Sequence, residues 1–419
     1  MIDDQIVLMT KSKITRVGKR IRVKLKNNEE VDEKDILDLQ DYRISFQSDL
    51  KSIFKKISTE SKRVRNDSIV TYRIKRIESI LSKIQREPNM ALGNMGDIAG
   101  CRIILYSENA LLTLLERFES IFKVRRINNY LEQSKEDGYC GCHLYIESPL
   151  DENKLIEIQL RTVNSHRWAS LVEIVDILYD TKIKEGEKNK DFQDFLYLMS
   201  KKEQLSIDEK YQIIEIDERH KIYQKLNEVF RQNNIQVRQN WILISELRYE
   251  YFIIEVDQEK KSTIMAFDSY EIAENKYFEM FESKKMSNFV LTYIVNPSFE
   301  RVCIAYASYL LVNPNYLKDW SNFTLDVIDN DSLIKSQTNL EYYREYIKRN
   351  LEDQIELIKS EIAVYNSHRK NEVYYKPNDG LTEWLEELQE RMNEIDIISK
   401  KHNNIQKPKN ISFFKKIFG

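Results

Sequence analysis

The chain has 419 residues, enough for two or three domains, and its 65 Lys and Arg residues nearly balance its 68 Asp and Glu residues. The net charge of -3 gives no global indication of a nucleic-acid or membrane partner. Four cysteines argue against a disulfide framework and for a reducing compartment. The N-terminus MIDDQIVLMTKSK has acids where a signal peptide needs bases, and no segment reaches the ~18 apolar residues of a membrane span. We therefore predict a cytoplasmic protein.

The first part of the chain is predicted to be basic and helical. Residues 11–26 contain eight Lys or Arg residues and no acid. Residues 31–57 have apolar side chains at helical spacing, and residues 71–86, TYRIKRIESILSKIQR, are predicted as a further helix with one apolar and one polar face. The polar face carries Lys75, Ser79, Ser82, Lys83 and Arg86. Such a face usually serves only solvation.

Strands and helices then alternate, which predicts a mixed α/β core. Residues 98–106, IAGCRIILY, indicate a buried strand, and residues 123–131, 142–148 and 154–162 indicate three more. The last of these, LIEIQLRT at its end, alternates strictly, so that Glu157, Gln159 and Arg161 share one side of the strand. That polar side either faces solvent or forms part of a functional site.

A second set of elements follows residue 205. Helical spacing covers residues 211–234, 270–283 and 299–311, and residues 241–247, 249–257, 262–268 and 289–296 have the composition of strands. A charged, helical tail begins near residue 335 and is interrupted at YKPNDG. We predict four regions: 1–60, basic and helical; 61–200, the α/β core; 205–335, a second, smaller α+β domain; and 336–419, the helical tail.

Two acids and a basic helix face predict a phosphoryl-transfer site. Asp97 lies at the mouth of the 98–106 strand, and Glu157 lies on the polar side of another strand. Carboxylates on neighbouring strands commonly hold Mg²⁺ against phosphates, and the basic residues of the 71–86 helix can bind a polyphosphate. No G-x-x-x-x-G-K-[ST] segment is present, which excludes a P-loop enzyme. Cys140 and Cys142 have no second pair at zinc spacing, so we interpret them as loop cysteines.

Four segments between residues 71 and 169 resemble, in order and spacing, the RelA/SpoT-type (p)ppGpp synthetases, in particular a multidomain subgroup without the hydrolase domain. They are YRIKRIESILSKIQRE, MGDIAGCRIILY, YLEQSKEDGYCGCH and IEIQLRTVNSHRWA. The family transfers the β,γ-pyrophosphate of ATP to the ribose 3′-hydroxyl of GDP or GTP. The resemblance implies an α/β (α+β) fold with a nucleotidyltransferase-like mixed sheet flanked by helices.

The resemblance also implies a role for individual residues. Asp97 and Glu157 would be the catalytic residues and Mg²⁺ ligands. The ATP phosphates would be bound by Arg73, Lys75, Ser79, Lys83 and Arg86. Tyr139 would stack on the acceptor base, His143 and Lys135 would contact acceptor phosphates, and Gln159 and Arg161 would line the site.

The chain departs from the family on the acceptor side. In the family, Gly-Tyr is usually followed by Arg or Gln and then by Ser, whereas this chain reads GYCGCH. Upstream, Asn129 stands where the family usually has an aspartate, and Ser134 stands where it usually has a proline. Transfer of pyrophosphate is therefore more firmly implied than guanosine as its acceptor. The alternative acceptor is the tRNA 3′ end, as in toxin-like relatives, with residues 11–26 binding its backbone, or another nucleotide.

A second alternative is a degenerate, nucleotide-binding regulatory protein, against which the Asp97 and Glu157 pair argues. No histidine is followed by Asp, so no hydrolase is expected. The C-terminal region is expected to bind a regulator or another copy of the chain.

Overall fold

The computed structural model describes residues 10–131, 138–183, 187–201, 204–245, 249–256, 262–283, 288–310 and 381–405, with short stretches between 319 and 363. The elements up to residue 179 are α1 Lys11–Lys26, α2 Glu33–Ile44, α3 Gln47–Val64, β1 Ile69–Ile74, α4 Ile77–Arg86, a 3-10 helix Leu92–Asn94, β2 Ala99–Leu105, α5 Glu108–Ile121, β3 Val124–Asn129, β4 Cys142–Glu147, β5 Leu155–Thr162 and α6 Val163–Tyr179. They are followed by α7 Lys190–Ser200, α8 Ile207–His220, α9 Ile222–Ser245, β6 Tyr251–Val256, β7 Ser262–Phe267, α10 Tyr270–Ser283, β8 Asn288–Ile294, α11 Phe299–Leu310 and α12 Leu381–Ile405.

The described strands form one mixed sheet in the order β3-β4-β5-β2-β1-β8-β6-β7. β2 and β5 run parallel, and their neighbours in the sheet pair antiparallel. The predicted α/β fold, with a mixed sheet flanked by helices, is confirmed. No helix in the described part of the chain combines the length and the apolar composition that a bilayer crossing requires.

The strands after residue 250 belong to the same sheet as β1 to β5, whereas the sequence predicts a separate domain from about residue 205. β8 pairs with β1, with Ile294 opposite Ile69, so that β6, β7 and β8 continue the sheet of the core. Compact units divide the chain accordingly: Met1–Ile174 with Gln236–Leu311, and Val175–Ile235 with Val312–Gly419. Hydrophobic alternation predicts that a segment is a strand, but it does not specify which strand becomes its neighbour.

Two secondary-structure predictions are wrong. Residues 71–86 are not one helix, because β1 extends to Ile74 and α4 begins only at Ile77. The β-branched and aromatic residues at the start of this segment suit a strand, and β1 is paired on both edges. Residues 241–247 were predicted as a strand, whereas their first five residues belong to α9.

One hydrophobic cluster covers the face of the sheet that carries Tyr72 and Ile158. Tyr72 of β1 is 1% exposed and packs against Phe54 of α3 and Tyr277 of α10, with ring centroids 4.9 and 5.2 Å apart. Ile158 of β5 belongs to the same core. Because side chains alternate along a strand, the residues between these core positions point to the opposite face, which carries the candidate site.

Helix α1 packs closely on the segment before β2. Arg22 donates from Nε to the Ile84 carbonyl at 3.2 Å, which ties α1 to α4. Gly18 faces the 3-10 helix, and a Cβ at this position would lie 2.6 Å from the Cβ of Leu92. A side chain at residue 18 therefore has no room unless the helices separate.

We expect Gly18→Ala to lower the free energy of unfolding, although alanine is the better helix former by ~1 kcal/mol. The Leu92 Cβ is attached directly to the backbone, and overpacking of this kind typically costs ~1–3 kcal/mol. Urea denaturation followed by circular dichroism measures the effect, with the exposed Lys19→Ala as the matched control. An unchanged urea midpoint for Gly18→Ala would show that the 3-10 helix can move away without a loss of stability.

Candidate active site

Cross-strand neighbours place polar side chains in two rows on the face opposite the core. The first row reads Arg126, Tyr145, Glu157, Gly100 and Arg73 across β3, β4, β5, β2 and β1. The second row reads Asn128, His143, Gln159, Arg102 and Thr71. We call this surface the polar face. Four of the predicted site residues (Arg73, His143, Glu157 and Gln159) lie in these two rows.

The Asp97 carboxylate lies between two ammonium groups. Lys75 Nζ is 3.0 Å from Oδ2, and Lys83 Nζ is 2.9 Å from both carboxylate oxygens. Burial by itself would raise the pKa of Asp97, but the charges of Lys75 and Lys83 outweigh burial and hold this pKa below its ordinary value. Burial lowers the pKa of Lys75, and the charge of Asp97 opposes that shift. The predicted metal ligand and two predicted ATP-binding residues are thus in direct contact.

The Glu157 carboxylate is buried and surrounded by donors. Its Oε1 accepts a hydrogen bond from Tyr145 Oη at 2.8 Å and lies 2.9 Å from His143 Nδ1, while Oε2 accepts from Gln159 Nε2 at 2.8 Å. Burial would raise the pKa of Glu157, but His143, Tyr145 and Gln159 outweigh burial and hold this pKa well below its ordinary value. The charge of Glu157 also acts to raise the pKa of Asp97, so the two carboxylates are within electrostatic range of each other.

Gly100 keeps the floor between these groups open. It is the cross-strand neighbour of both Glu157 and Arg73, so the first row has no side chain at its centre. A Cβ on Gly100 would lie 3.1 Å from the Glu157 carbonyl oxygen. A glycine here therefore permits close strand packing and leaves room for a ligand.

The carboxylate oxygens of Asp97 and Glu157 fit part of the coordination shell of Mg²⁺. Asp97 Oδ1 and Glu157 Oε2 each contact one donor, and a carboxylate oxygen accepts about two. Hard oxygen ligands suit Mg²⁺, which usually takes one or two carboxylates and fills its remaining positions with phosphates and water. In the described residues no group of three or more His, Cys, Asp or Glu side chains could hold a metal on its own.

Tyr139, the predicted base-stacking residue, is buried in a hydrogen-bonded chain. Its hydroxyl accepts from Arg161 Nε at 3.2 Å and is hydrogen-bonded to His143 Nε2. In the neutral tautomer that donates from Nδ1 to the ionised Glu157, Nε2 of His143 accepts from the Tyr139 hydroxyl. A chain of hydrogen bonds therefore connects four predicted site residues, in the order Arg161, Tyr139, His143 and Glu157.

The Tyr139 ring lies among other aromatic rings. It is 7% exposed, and its centroid is 5.7 Å from that of Tyr130 and 6.2 Å from that of Trp168. The flanking Gly138 and Gly141 have φ of 90° and 154°, which lets the loop turn tightly around the ring. In this conformation the ring packs under its own loop and presents little free surface for stacking.

The other predicted residues are less closely engaged. Ser79 lies one turn before Lys83 on α4 and is half-buried. Arg86 is exposed at the end of α4, with its guanidinium 4.0 Å from the Glu87 carboxylate. Lys135 lies outside the described residues.

Two residues of the polar face were missed by sequence analysis. Tyr145 donates to Glu157, and Arg102 donates from Nε to Gln159 Oε1 at 3.1 Å. The period of two along β4 and β2 places Tyr145 with His143, and Arg102 with Gly100. Alternation therefore predicts that Tyr145 and Arg102 share the polar face, but it does not predict which polar residues contact a carboxylate.

Comparisons with known proteins identify the part of the chain that holds this site. A family model described as a region found in RelA/SpoT proteins matches residues 72–184. GTP pyrophosphokinase YjbM from Bacillus subtilis is 32% identical over 128 residues, which cover 28% of this chain and 61% of YjbM. GTP pyrophosphokinase YwaC from the same organism is 30% identical over 115 residues, covering 24% of this chain and 53% of YwaC.

The chain thus spans less than two thirds of the length of these two curated relatives. Among solved structures, small alarmone synthetase 1 from Bacillus subtilis bound to its product pppGpp is 25% identical, with a TM-score of 0.33. That match covers 38% of this chain and 88% of the synthetase. Residues 72–184, which include most of the polar face, therefore match the region found in RelA/SpoT proteins.

Proposed function

We propose that the chain is an ATP- and Mg²⁺-dependent pyrophosphokinase that transfers the β,γ-pyrophosphate of ATP to the 3′-hydroxyl of GDP or GTP, giving (p)ppGpp-type alarmones and AMP. The observation that supports this proposal most is the pair of ionised carboxylates, Asp97 and Glu157, on a face that also carries Lys75, Lys83 and Arg73. Enzymes that transfer phosphoryl groups work mainly by positioning and by neutralising charge, and this arrangement offers both.

The cations on the Asp97 side are proposed to bind the triphosphate. Each ammonium group has three donors, so Lys75 and Lys83 can contact Asp97 and a phosphate oxygen together. Arg73 lies across Gly100 from Glu157 and adds a guanidinium to the same floor. Mg²⁺, held by Asp97 and Glu157, would neutralise the charge that develops on the phosphates.

The proposed reaction balances without a further reactant. The 3′-oxygen of the acceptor bonds to the β-phosphorus, and the bond from that phosphorus to the oxygen bridging the α-phosphate breaks. AMP leaves with the bond's electron pair, and the hydroxyl proton passes to water. Since the pKa of Glu157 is held so low, we assign this residue the role of an electrostatic ligand and not that of a general base.

The acceptor is proposed to bind on the side of Tyr139, His143 and Arg161. The curated relatives are named GTP pyrophosphokinases, which favours a guanosine nucleotide. In α1, which was expected to hold tRNA in the alternative reading, Arg20 pairs with Asp35, and Lys24 lies 3.2 Å from Glu29. These ion pairs reduce the charge that α1 can offer to a nucleic-acid backbone, and no observation favours tRNA over GDP or GTP.

A labelling experiment tests the proposal directly. Purified protein is incubated with γ-³²P-ATP, Mg²⁺ and, separately, GDP, GTP, ATP or bulk tRNA. We expect label to enter GDP or GTP. Label in tRNA alone would establish the alternative acceptor, and the absence of transfer to all four would support a regulatory protein that binds nucleotide without turnover.

Asp97→Asn and Glu157→Gln are each expected to reduce transfer by ~10³-fold or more, because each removes charge from the groups that stabilise the transition state. Transfer of label from ATP measures the loss, and circular dichroism checks that both variants fold. Asp191→Asn is the matched control, since Asp191 pairs with Arg219 and is not one of the residues of the polar face. Near-normal turnover in either site variant would contradict the catalytic role of that carboxylate.

Arg86→Ala is expected to raise the KM for ATP about tenfold, an effect of ~1.4 kcal/mol, and to leave the KM for the acceptor unchanged. Arg86 is a sharper test than Lys83, because removing Lys83 also removes a partner of Asp97. Steady-state kinetics with each substrate varied in turn measures the effect. The control is Arg65→Ala, which removes another exposed arginine paired with a nearby acid. Equal changes for both substrates would assign Arg86 to general structure.

Tyr139→Ala is expected to weaken acceptor use and to change ATP binding little, because the Tyr139 hydroxyl connects Arg161 and His143 on the proposed acceptor side. With small residues after Tyr139, GDP and GTP should also be discriminated from ATP as acceptor less than in relatives with the usual loop. Tyr139→Phe serves as the comparison, since it keeps the ring and loses the bonds to Arg161 and His143. Titration of both substrates measures the effect. Loss of both affinities with a lower Tm would show that the ring belongs to the core.

A further inference from the structure

We infer that Tyr145 is a positioning residue that fixes the Glu157 carboxylate so that only its Oε2 atom remains open to a divalent cation. This inference rests on the proposed function, since it concerns the same site. Sequence analysis assigned no role to Tyr145.

The occupancy of the two carboxylate oxygens supports the inference. Oε1 of Glu157 receives two donors, Tyr145 Oη at 2.8 Å and His143 Nδ1 at 2.9 Å. Of the groups in the described part of the chain, only Gln159 Nε2 donates to Oε2, also at 2.8 Å. Because a carboxylate oxygen accepts about two hydrogen bonds in its plane, Oε1 is saturated and Oε2 keeps one open position. Glu157 is thus prepared as a ligand through one oxygen.

The Tyr145 ring has two close neighbours. The guanidinium of Arg126, its cross-strand neighbour on β3, lies 4.1 Å from the ring centroid. A Cβ added to Gly96 would lie 2.8 Å from Cδ1 of the ring. Gly96 immediately precedes Asp97, so the ring packs against the segment that carries the other carboxylate. Tyr145 therefore connects the two acids sterically, and a side chain at residue 96 would displace it.

The hydroxyl of Tyr145 donates to Glu157 Oε1, whereas its ring contacts Arg126 and the segment at Gly96. Phenylalanine could occupy the same space, because Arg126 and Gly96 contact only the ring. The hydroxyl thus has a separable role, which is to hold Oε1 of Glu157.

The variant Tyr145→Phe tests this role while keeping the ring. Without the hydroxyl, Oε1 gains an open position and Glu157 can rotate or bind through both oxygens. Residues that orient a metal ligand typically contribute ~10–100-fold to metal affinity or activity. We expect kcat to fall about tenfold, the KM for ATP to change less than about twofold, and the Mg²⁺ concentration for half-maximal rate to rise.

A binding measurement provides a readout that does not need turnover. Mn²⁺ serves as the probe, in the presence of an ATP analogue with a methylene group between the α- and β-phosphorus atoms, and electron paramagnetic resonance reports free Mn²⁺. We expect Tyr145→Phe to bind Mn²⁺ about tenfold more weakly than the unmodified protein. The matched control is Tyr179→Phe, which loses a hydroxyl that donates to the His220 carbonyl at 2.7 Å.

A second variant, Gly96→Ala, keeps the hydroxyl but displaces the ring. It should reproduce the weaker Mn²⁺ binding of Tyr145→Phe. Unchanged Mn²⁺ affinity and kcat in Tyr145→Phe would overturn the inference, as would a lower Tm with equal loss of kcat and ATP affinity. If the unmodified protein transfers no pyrophosphate, the proposed function fails, but the Mn²⁺ measurement still tests the role of Tyr145.

Discussion

The parallel pairing of β2 with β5 is the constraint on which the candidate site depends. Its register sets Gly100 opposite Glu157, so that Asp97, three residues before Gly100, ends beside the same floor. A slip of one residue would turn Glu157 and Gln159 into the apolar core and Ile158 out of it. The apolar residues of β5 therefore position the polar face, because their burial leaves the strand only one register.

The charges of the site are balanced before any ligand binds. The buried Glu157 and the half-buried Asp97 would be costly by themselves, but Lys75 and Lys83 compensate Asp97, and three donors compensate Glu157. Both folded-state pKa values lie below their ordinary values, so ionisation of these acids contributes stability at neutral pH. That contribution is lost only as the pH falls through the lowered folded-state values. The site is thus preorganised, with charges that a substrate can share without a large rearrangement.

Local patterns predicted β2 to β5 and the polar side of β5, but neither β1 nor the contacts between strands. The strict alternation of LIEIQLRT was sufficient to place Glu157 and Gln159 together. It could not assign Lys75 correctly, because a helical pattern in residues 74–84 continues backwards into a strand without a clear stop. It also could not single out Tyr145, whose role depends on the register between β4 and β5. Contacts of this kind depend on pairing between distant segments, which one sequence does not specify.

Residues 236–311 are part of the same structural unit as the site. Without β8, β1 would become an edge strand with unpaired backbone groups. Helix α10 adds Tyr277, whose ring packs against that of Tyr72 in β1. Segment 72–184 carries the sequence features of the family, yet β1, which supplies Arg73 and leads into Lys75, depends on β8 for its second edge. The additional strands therefore support the geometry of the site through the backbone of β1.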